Sequence, residues 1–339
     1  MDMKRTVVFL LAGFLVLTLL YSTGFTTTAY ASPIRLSYAN FPPAQTFPCV
    51  QMERWKKEVE ERTGGKVVID TYPGGTLLDA MSMMDGVIAG QADIGNLAMA
   101  YQPGRFMLTN AAGLPLGFPD AESASVALLE LFLKYQPEEF RRVKVLTMFT
   151  SAPANLYAKR RIATLEDLRG LELRAAGGVA EVLKALGATP VGMPQSETPQ
   201  ALQKGVVQGA AASLETLKDF NYAEICRYVT ILDGPVVPFA VVMNRKVWDS
   251  LPEDVQKVMD DLRMEQAQWT GRYMDEHVKR SIEWSKEKYD IEITRLPEAE
   301  RSRWDSQIEP ITEKWIQEVE SKGIPGKEII SFLRGFLKQ

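Results

Sequence analysis

Apolar and polar positions alternate over Ile34, Leu36 and Tyr38, which predicts a strand with one buried face. A loop over 40–48 follows. Met52, Trp55 and Val59 then recur at the spacing of one helix face, and Gly64-Gly65 stops that helix. The β-branched run Val67–Tyr72 predicts a second strand, Pro73-Gly74-Gly75 a turn into a helix over 79–89, and 91–97 a third strand. A second series begins with a short helix at Leu165–Leu168 and a strand at 171–174. Gly177-Gly178 opens a helix over 179–186 that Gly187 ends, and Thr189–Val191 and 196–205 read as the next strand and helix. The apolar run 236–244 reads as a long strand returning to the first set. Strands alternating with helices predict an α/β protein with βαβ units, parallel or mixed sheets and right-handed crossovers. Two such series imply two sheets with a cleft between them. In open α/β sheets, ligands bind beyond the carboxyl ends of the strands.

From Glu253–Tyr289 the chain holds no proline and only Gly271, with Val255, Met259, Leu262, Trp269 and Tyr273 at helical spacing. At about 1.5 Å per residue such a helix spans roughly 50 Å, enough to run across both lobes. Trp304, Ile308, Ile311, Trp315 and Val319 predict a last helix that Pro310 kinks or divides.

The amino terminus adds a compartment. Lys4 and Arg5 precede an apolar run over 7–20 and then Ala29-Tyr30-Ala31, the order of a secretory signal peptide cleaved near Ala31, which directs the protein to the periplasm. An uncleaved anchor is the alternative, although the run is short for a membrane span. With 39 basic and 43 acidic side chains, a net charge of −4 and no basic block, nothing favours nucleic acid. The 339 residues exceed one ordinary core, so two lobes are expected. Cys49 and Cys226 are the only cysteines, and the sequence leaves open one disulfide or two buried thiols.

Catalytic signals are poor. His277 is the only histidine and continues the stripe of the long helix, a structural position. There is no H-E-x-x-H, no Cys/His metal cluster and no P-loop, so neither cofactor nor metal is expected. The positive signal is Arg174, at the carboxyl end of a strand and just before Gly177-Gly178. An arginine fork binds a carboxylate through two parallel hydrogen bonds. Uncovered N–H groups at a helix start favour an anion as well. The competing reading is an arginine paired with a structural acid.

The stretches L-E-D-L-R-G-L-E-L-R, L-G-A-T-P-V-G-M-P-Q-S-E and A-L-Q-K-G-V-V-Q-G strongly resemble the DctP-type extracytoplasmic receptors of TRAP transporters. So do Y-P-G-G-T-L, the span from A-D-I-G to G-L-P-L-G-F, and V-M-N-R-K-V-W-D-S-L-P-E-D-V-Q-K-V. The resemblance implies a two-lobed periplasmic-binding-protein architecture with a ligand cleft between lobes and a long helix bracing both. It implies no catalysis, capture of a carboxylate-bearing solute, and delivery to TRAP permease subunits in the membrane. A monomer is expected. Lobe I takes 32–151 with 239–277, and lobe II takes 152–238 with 278–339. Arg174 matches the family's carboxylate clamp and Gln195 a pocket position, while Glu197 in the same motif reads as pocket or structural.

Two departures matter. Ala212 stands where the family often has asparagine, and Asn155 lies where a second arginine is often found, so Asn155 is expected to act as a neutral donor. A less polar pocket points to a monocarboxylate or a larger, partly apolar acid. Further wall candidates are Tyr38 and Asn40 at the end of the first strand, Asn96 and Tyr101 after the third, and Glu215 and Phe239 near the crossing between lobes. The aromatics read as ligand-stacking or core, and Glu215 as a hydroxyl or amine acceptor or a surface charge. Two other functions remain open: a binding component feeding a sensor or another transporter class, and an exported hydrolase or lyase on the same scaffold.

Overall fold

The structure, a computed structural model, describes residues 32–338; the expected signal peptide lies outside the described residues. The first sheet holds β1 (Ile34–Asn40), β2 (Val67–Tyr72), β3 (Ile94–Ala98), β4 (Val143–Thr150) and β10 (Pro238–Asn244) in the order 2-1-3-10-4. The first three strands are parallel, and β10 enters antiparallel between β3 and β4. The second sheet holds β5 (Asn155–Ala158), β6 (Glu172–Arg174), β7 (Thr189–Val191), β8 (Gly209–Ala212), β9 (Tyr228–Ile231) and β11 (Glu292–Arg295) in the order 11-9-5-8-6-7. It too is mixed, because β5 runs against both β8 and β9. The strands that break the parallel pattern, β5 and β10, begin just after the two places where the chain crosses from one sheet to the other.

Those crossings, 151–154 and 232–237, lie side by side. Ser151 N donates to Val237 O (2.9 Å), Val237 N to Ser151 Oγ (2.9 Å), and Gly234 N to Ala154 O (2.8 Å). Paired backbone of this kind joins the sheets by a short two-stranded ribbon.

Helices cover the faces: α1 (Phe47–Arg62), α2 (Met83–Ala89), α3 (Ala121–Tyr135), α4 (Leu165–Leu168), α5 (Gly178–Ala185), α6 (Thr198–Lys204), α7 (Thr216–Asp219), α8 (Arg245–Ser250), α9 (Glu253–Tyr289), α10 (Glu298–Ile308), α11 (Pro310–Glu320) and α12 (Gly326–Arg334). Glycines end several of them: Gly90 and Gly205 adopt φ of 79° and 73° at the caps of α2 and α6, where a side chain would be strained. Pro310 divides the last predicted helix into α10 and α11. Trp304 of α10 sits in the second sheet's core, with Leu168 and Leu183. Ile316 of α11 and Ile330 and Leu333 of α12 instead pack against Leu131 of α3, beside the first sheet.

Helix α9 ties the halves together. Val255, Met259, Leu262 and Met274 sit in the first sheet's core, while Val278 and Ile282 pack on the cluster of Tyr157, Tyr222 and Cys226 under the second. Gly271 lies where α3 crosses: a Cβ there would overlap Glu122 Cα and stand 2.7 Å from Glu122 N. One turn on, Asp275 accepts from Ala121 N (2.8 Å) and Glu122 N (3.2 Å), satisfying the first amides of α3. Gly271→Val is therefore expected to destabilise the fold by roughly 2 kcal/mol or more, since crowding of backbone outweighs the helix propensity that leaving glycine would gain. Urea unfolding checks this, and a variant as stable as the parent contradicts the close crossing.

Both cysteines are free and buried, in different cores. Burial pushes each thiol up to about 12, so neither is a reactive thiolate at neutral pH.

Candidate ligand-binding site

A cavity with about 560 Å³ of empty space, its open mouth included, lies where strand ends from both sheets converge. Beyond β1 the chain supplies Phe41 and Pro42, then Thr46, Phe47 and Pro48 at the start of α1. Tyr101 follows β3, Ser151 follows β4, and Val237 and Phe239 come from β10 and its approach. From the second sheet come Arg174 and Ala176 after β6, Gln195, and the run after β8: Ala212, Ser213, Glu215, Thr216, Asp219 and Phe220.

The apolar wall is aromatic. Phe239 stacks on Phe149 (ring centroids 5.5 Å apart, 17° between planes) and meets Phe47 edge-on at 5.5 Å. Phe41 leans on Tyr101 at 5.7 Å. Rings interlocked in this way present a rigid apolar surface with little rotamer freedom left to lose on binding.

Arg174 is the charge of the site. It is only 3 % exposed. Its Nε (3.1 Å) and Nη2 (2.8 Å) both donate to the Met193 carbonyl, and Nη2 reaches Tyr101 Oη at 3.4 Å. Among the described residues it forms no ion pair, which excludes the structural-acid reading, and Nη1 has no partner. A buried guanidinium without a counter-charge is costly and is relieved by an anion. Tyr101 Oη also accepts from Gln195 N (3.0 Å), so one residue of the first half touches two of the second.

Glu215 is the opposite case. It is 3 % exposed, and burial, reinforced by nearby Asp219, raises its carboxyl to about 8 against the pull of Ser213 and local amides. The folded chain thus holds this proton up to about pH 8, whereas the unfolded chain loses it near 4.5. Between those values the native state binds more protons, so stability falls as pH rises. Glu215→Gln should remove that part of the slope and leave the ligand-free protein more stable than the parent at pH 8. Thermal unfolding from pH 5 to 8 checks this, and parallel curves for parent and variant contradict it.

Asp219 shares a 2.8 Å hydrogen bond with His277 Nε2, and the imidazole stacks on Tyr273 at 5.6 Å. The histidine that the sequence placed on a structural stripe is thus a buried support for a cavity-lining acid.

The structure brings Arg174, Gln195, Tyr101, Glu215 and Phe239 to one cavity, with Ala212 beside them. It does not bring the other candidates. Tyr38 is fully buried, donates to Gln51 Oε1 (3.2 Å) and packs edge-on against Trp55. Asn40 and Asn96 bond to each other across β1 and β3 (3.0 Å), and Asn40 also holds Pro48 O. Asn155 is not a spare donor: its Oδ1 accepts from Leu232 N (2.8 Å) and Asp233 N (3.1 Å), and its Nδ2 binds Pro153 O. Glu197 starts α6 and does not line the cavity.

Gly177 and Gly178 do not line it either. Gly177 takes φ 54°, and a Cβ on it would stand 2.7 Å from Ala100 Cβ; a Cβ on Gly178 would overlap the carbonyl oxygen of Gly113. These glycines permit close approach of the 99–113 segment rather than forming an anion cradle.

Asp219, Phe220 and the 41–48 wall were not singled out from sequence. The proline- and phenylalanine-rich loop after a strand's carboxyl end was the signal for the wall; no local pattern marks Asp219.

The sequence profile of DctP, the bacterial extracellular solute-binding protein family 7, matches residues 38–318. The chain belongs to this family. It is 55 % identical to a TRAP periplasmic solute binding protein from Desulfovibrio salexigens, over 90 % of this chain and 96 % of that one, with a TM-score of 0.81. That structure is an open complex with the C-terminus of a symmetry mate in its ligand-binding site. A TRAP solute binding protein from Rhodoferax ferrireducens, in complex with copurified benzoate, is 25 % identical over 90 % of this chain and 98 % of its own, with a TM-score of 0.85. A marine metagenome TRAP solute binding protein specific for aromatic acid ligands, with 3-hydroxybenzoate, is 25 % identical over 91 % and 99 %, with a TM-score of 0.86. Among the described residues of this family member, no helix is long and apolar enough to cross a membrane.

Proposed function

We propose that this protein captures a small organic monocarboxylate with an apolar, aromatic-sized body in the periplasm and delivers it unchanged to the membrane permease of a TRAP transporter. The observation that carries the reading is Arg174, buried, without an acidic partner, and facing an aromatic cavity. Arg174 binds the carboxylate through its fork, and Phe47, Phe239 and Tyr101 hold the body. Two relatives of this chain were obtained with benzoate and 3-hydroxybenzoate, and a third accepted the C-terminus of a neighbouring molecule. Each ligand pairs a carboxylate with a larger body.

Binding draws lobe I (32–151 with 239–277) and lobe II (152–238 with 278–339) together, hinging at the paired crossings and along α9. Closure expels water and strengthens the charge-assisted contacts.

A thermal-shift comparison of organic acids with their amides, on residues 32–339, tests the reading. A ligand that binds only the folded state raises the melting temperature in proportion to the logarithm of its concentration over Kd. An acid should shift the transition where its amide does not. Equal shifts for acid and amide would sink the carboxylate assignment.

A further inference from the structure

Three acceptor oxygens on the cavity-lining residues are buried and have no partner among the described residues: Gln195 Oε1, Glu215 Oε2 and Asp219 Oδ2. Glu215 and Asp219 are 3 % and 8 % exposed. Among the described residues neither forms an ion pair with Arg174, so the cavity lining holds acidic groups that the guanidinium does not engage. Asp219 is held in place by His277, and its backbone carbonyl accepts from Gln45 Nε2 (3.1 Å), so the lining is built and not a loose surface cluster.

Buried polar atoms left without partners are rare in folded proteins, and several facing one cavity describe what must come into it. A second carboxylate on the ligand can accept from the protonated Glu215, but it brings no hydrogen to Gln195 Oε1 or Asp219 Oδ2 and sets another acid beside Asp219. A bare hydrocarbon ring brings nothing. A hydroxyl or amino group brings the missing hydrogens.

We propose, building on the monocarboxylate reading above, that the physiological ligand carries at least one hydroxyl or amino group on its apolar body, read by Glu215 and Asp219, and that these two residues select it against plain acids and dicarboxylates. Glu215, which keeps its proton at neutral pH, donates as well as accepts. A hydroxyl can therefore accept from Glu215 while donating to Asp219. Sites built around buried hydrogen bonds reject analogues that lack the group far more strongly than apolar pockets do, because their own polar atoms are then stranded.

Titration at pH 7 with benzoic and phenylacetic acids, each unsubstituted and as hydroxy, amino, methoxy and second-carboxylate derivatives, tests this. In the parent protein the best hydroxy or amino acid should bind at least tenfold more tightly than the unsubstituted, methoxy and dicarboxylate analogues. In Glu215→Leu that ratio should fall to within threefold. The ratio is read within one protein sample, so a partly unfolded variant does not distort it, and the parent series stands without any variant. Unsubstituted acids binding within threefold of every donor-bearing analogue would overturn the proposal and leave the carboxylate reading intact. So would a preference that survives in both Glu215→Leu and Asp219→Leu. No binding by any acid of either series would overturn the monocarboxylate reading itself.

Discussion

Arg174→Ala should lower affinity for the bound acid at least roughly thirtyfold, because truncating one partner of a buried, hydrogen-bonded charge pair costs about 2 kcal/mol or more. The ligand-free fold should tolerate the change. What it removes are two hydrogen bonds to the Met193 carbonyl and a long contact to Tyr101, together with a buried charge that no acid balances. Arg174→Lys should rescue little, since a point charge lacks the planar fork. Titration of both variants beside the parent, with circular dichroism to confirm folding, reads the result. Affinity within threefold of the parent for Arg174→Ala would remove this residue from the site.

Gly178→Val should have an effect as large without touching the ligand. Any Cβ at 178 overlaps the carbonyl oxygen of Gly113, and backbone cannot yield as the end of a side chain does. On the proposed closure, the variant folds with the two halves held apart, and contacts from Arg174 and from Phe239 cannot form together. Apparent affinity falls by the fraction of molecules still able to close, so a closed state made a hundredfold rarer weakens binding by about two orders of magnitude. The expected signature is a melting temperature close to the parent's without ligand and almost no shift with it. Parent-like affinity in Gly178→Val would show that the 99–113 segment and α5 need not meet for binding.

The contrast between these two positions shows what the sequence can carry. Arg174 stood out by its place at a strand's carboxyl end, but structural ion pairs are common and spacing alone favoured one; only the surrounding motifs turned the reading toward a pocket residue. The glycine pair was legible as special, but the absence of a side chain serves equally an uncovered amide and a close backbone contact. Only the position of Gly113 decides between them.

The misplaced wall residues failed for a geometric reason. Tyr38 and Asn40 lie two apart on β1 and so point to one face, and alternation cannot say whether that face meets a helix or a cleft. It meets α1, through Gln51, Trp55 and Pro48. The register pairs Asn40 with Asn96, so the two amides satisfy each other. Asn155 illustrates the same limit, since its partners lie at 232–233, far away in sequence.

Strands with alternating or β-branched runs were readable at 34–38 and 67–72. β8, with the sequence Gly-Ala-Ala-Ala, has no side chain that favours a strand and is set by its neighbours β5 and β6. Asp219 was invisible because its meaning depends on His277, which α9 brings across from 58 positions away.

The most direct test of the account is a crystal structure of the protein with the acid that gives the largest thermal shift. Both carboxylate oxygens are expected within about 3 Å of the Arg174 guanidinium, with the body of the ligand against Phe47 and Phe239. An acid bound with its carboxylate turned toward Asp219 and His277, or seated outside this cavity, would contradict it.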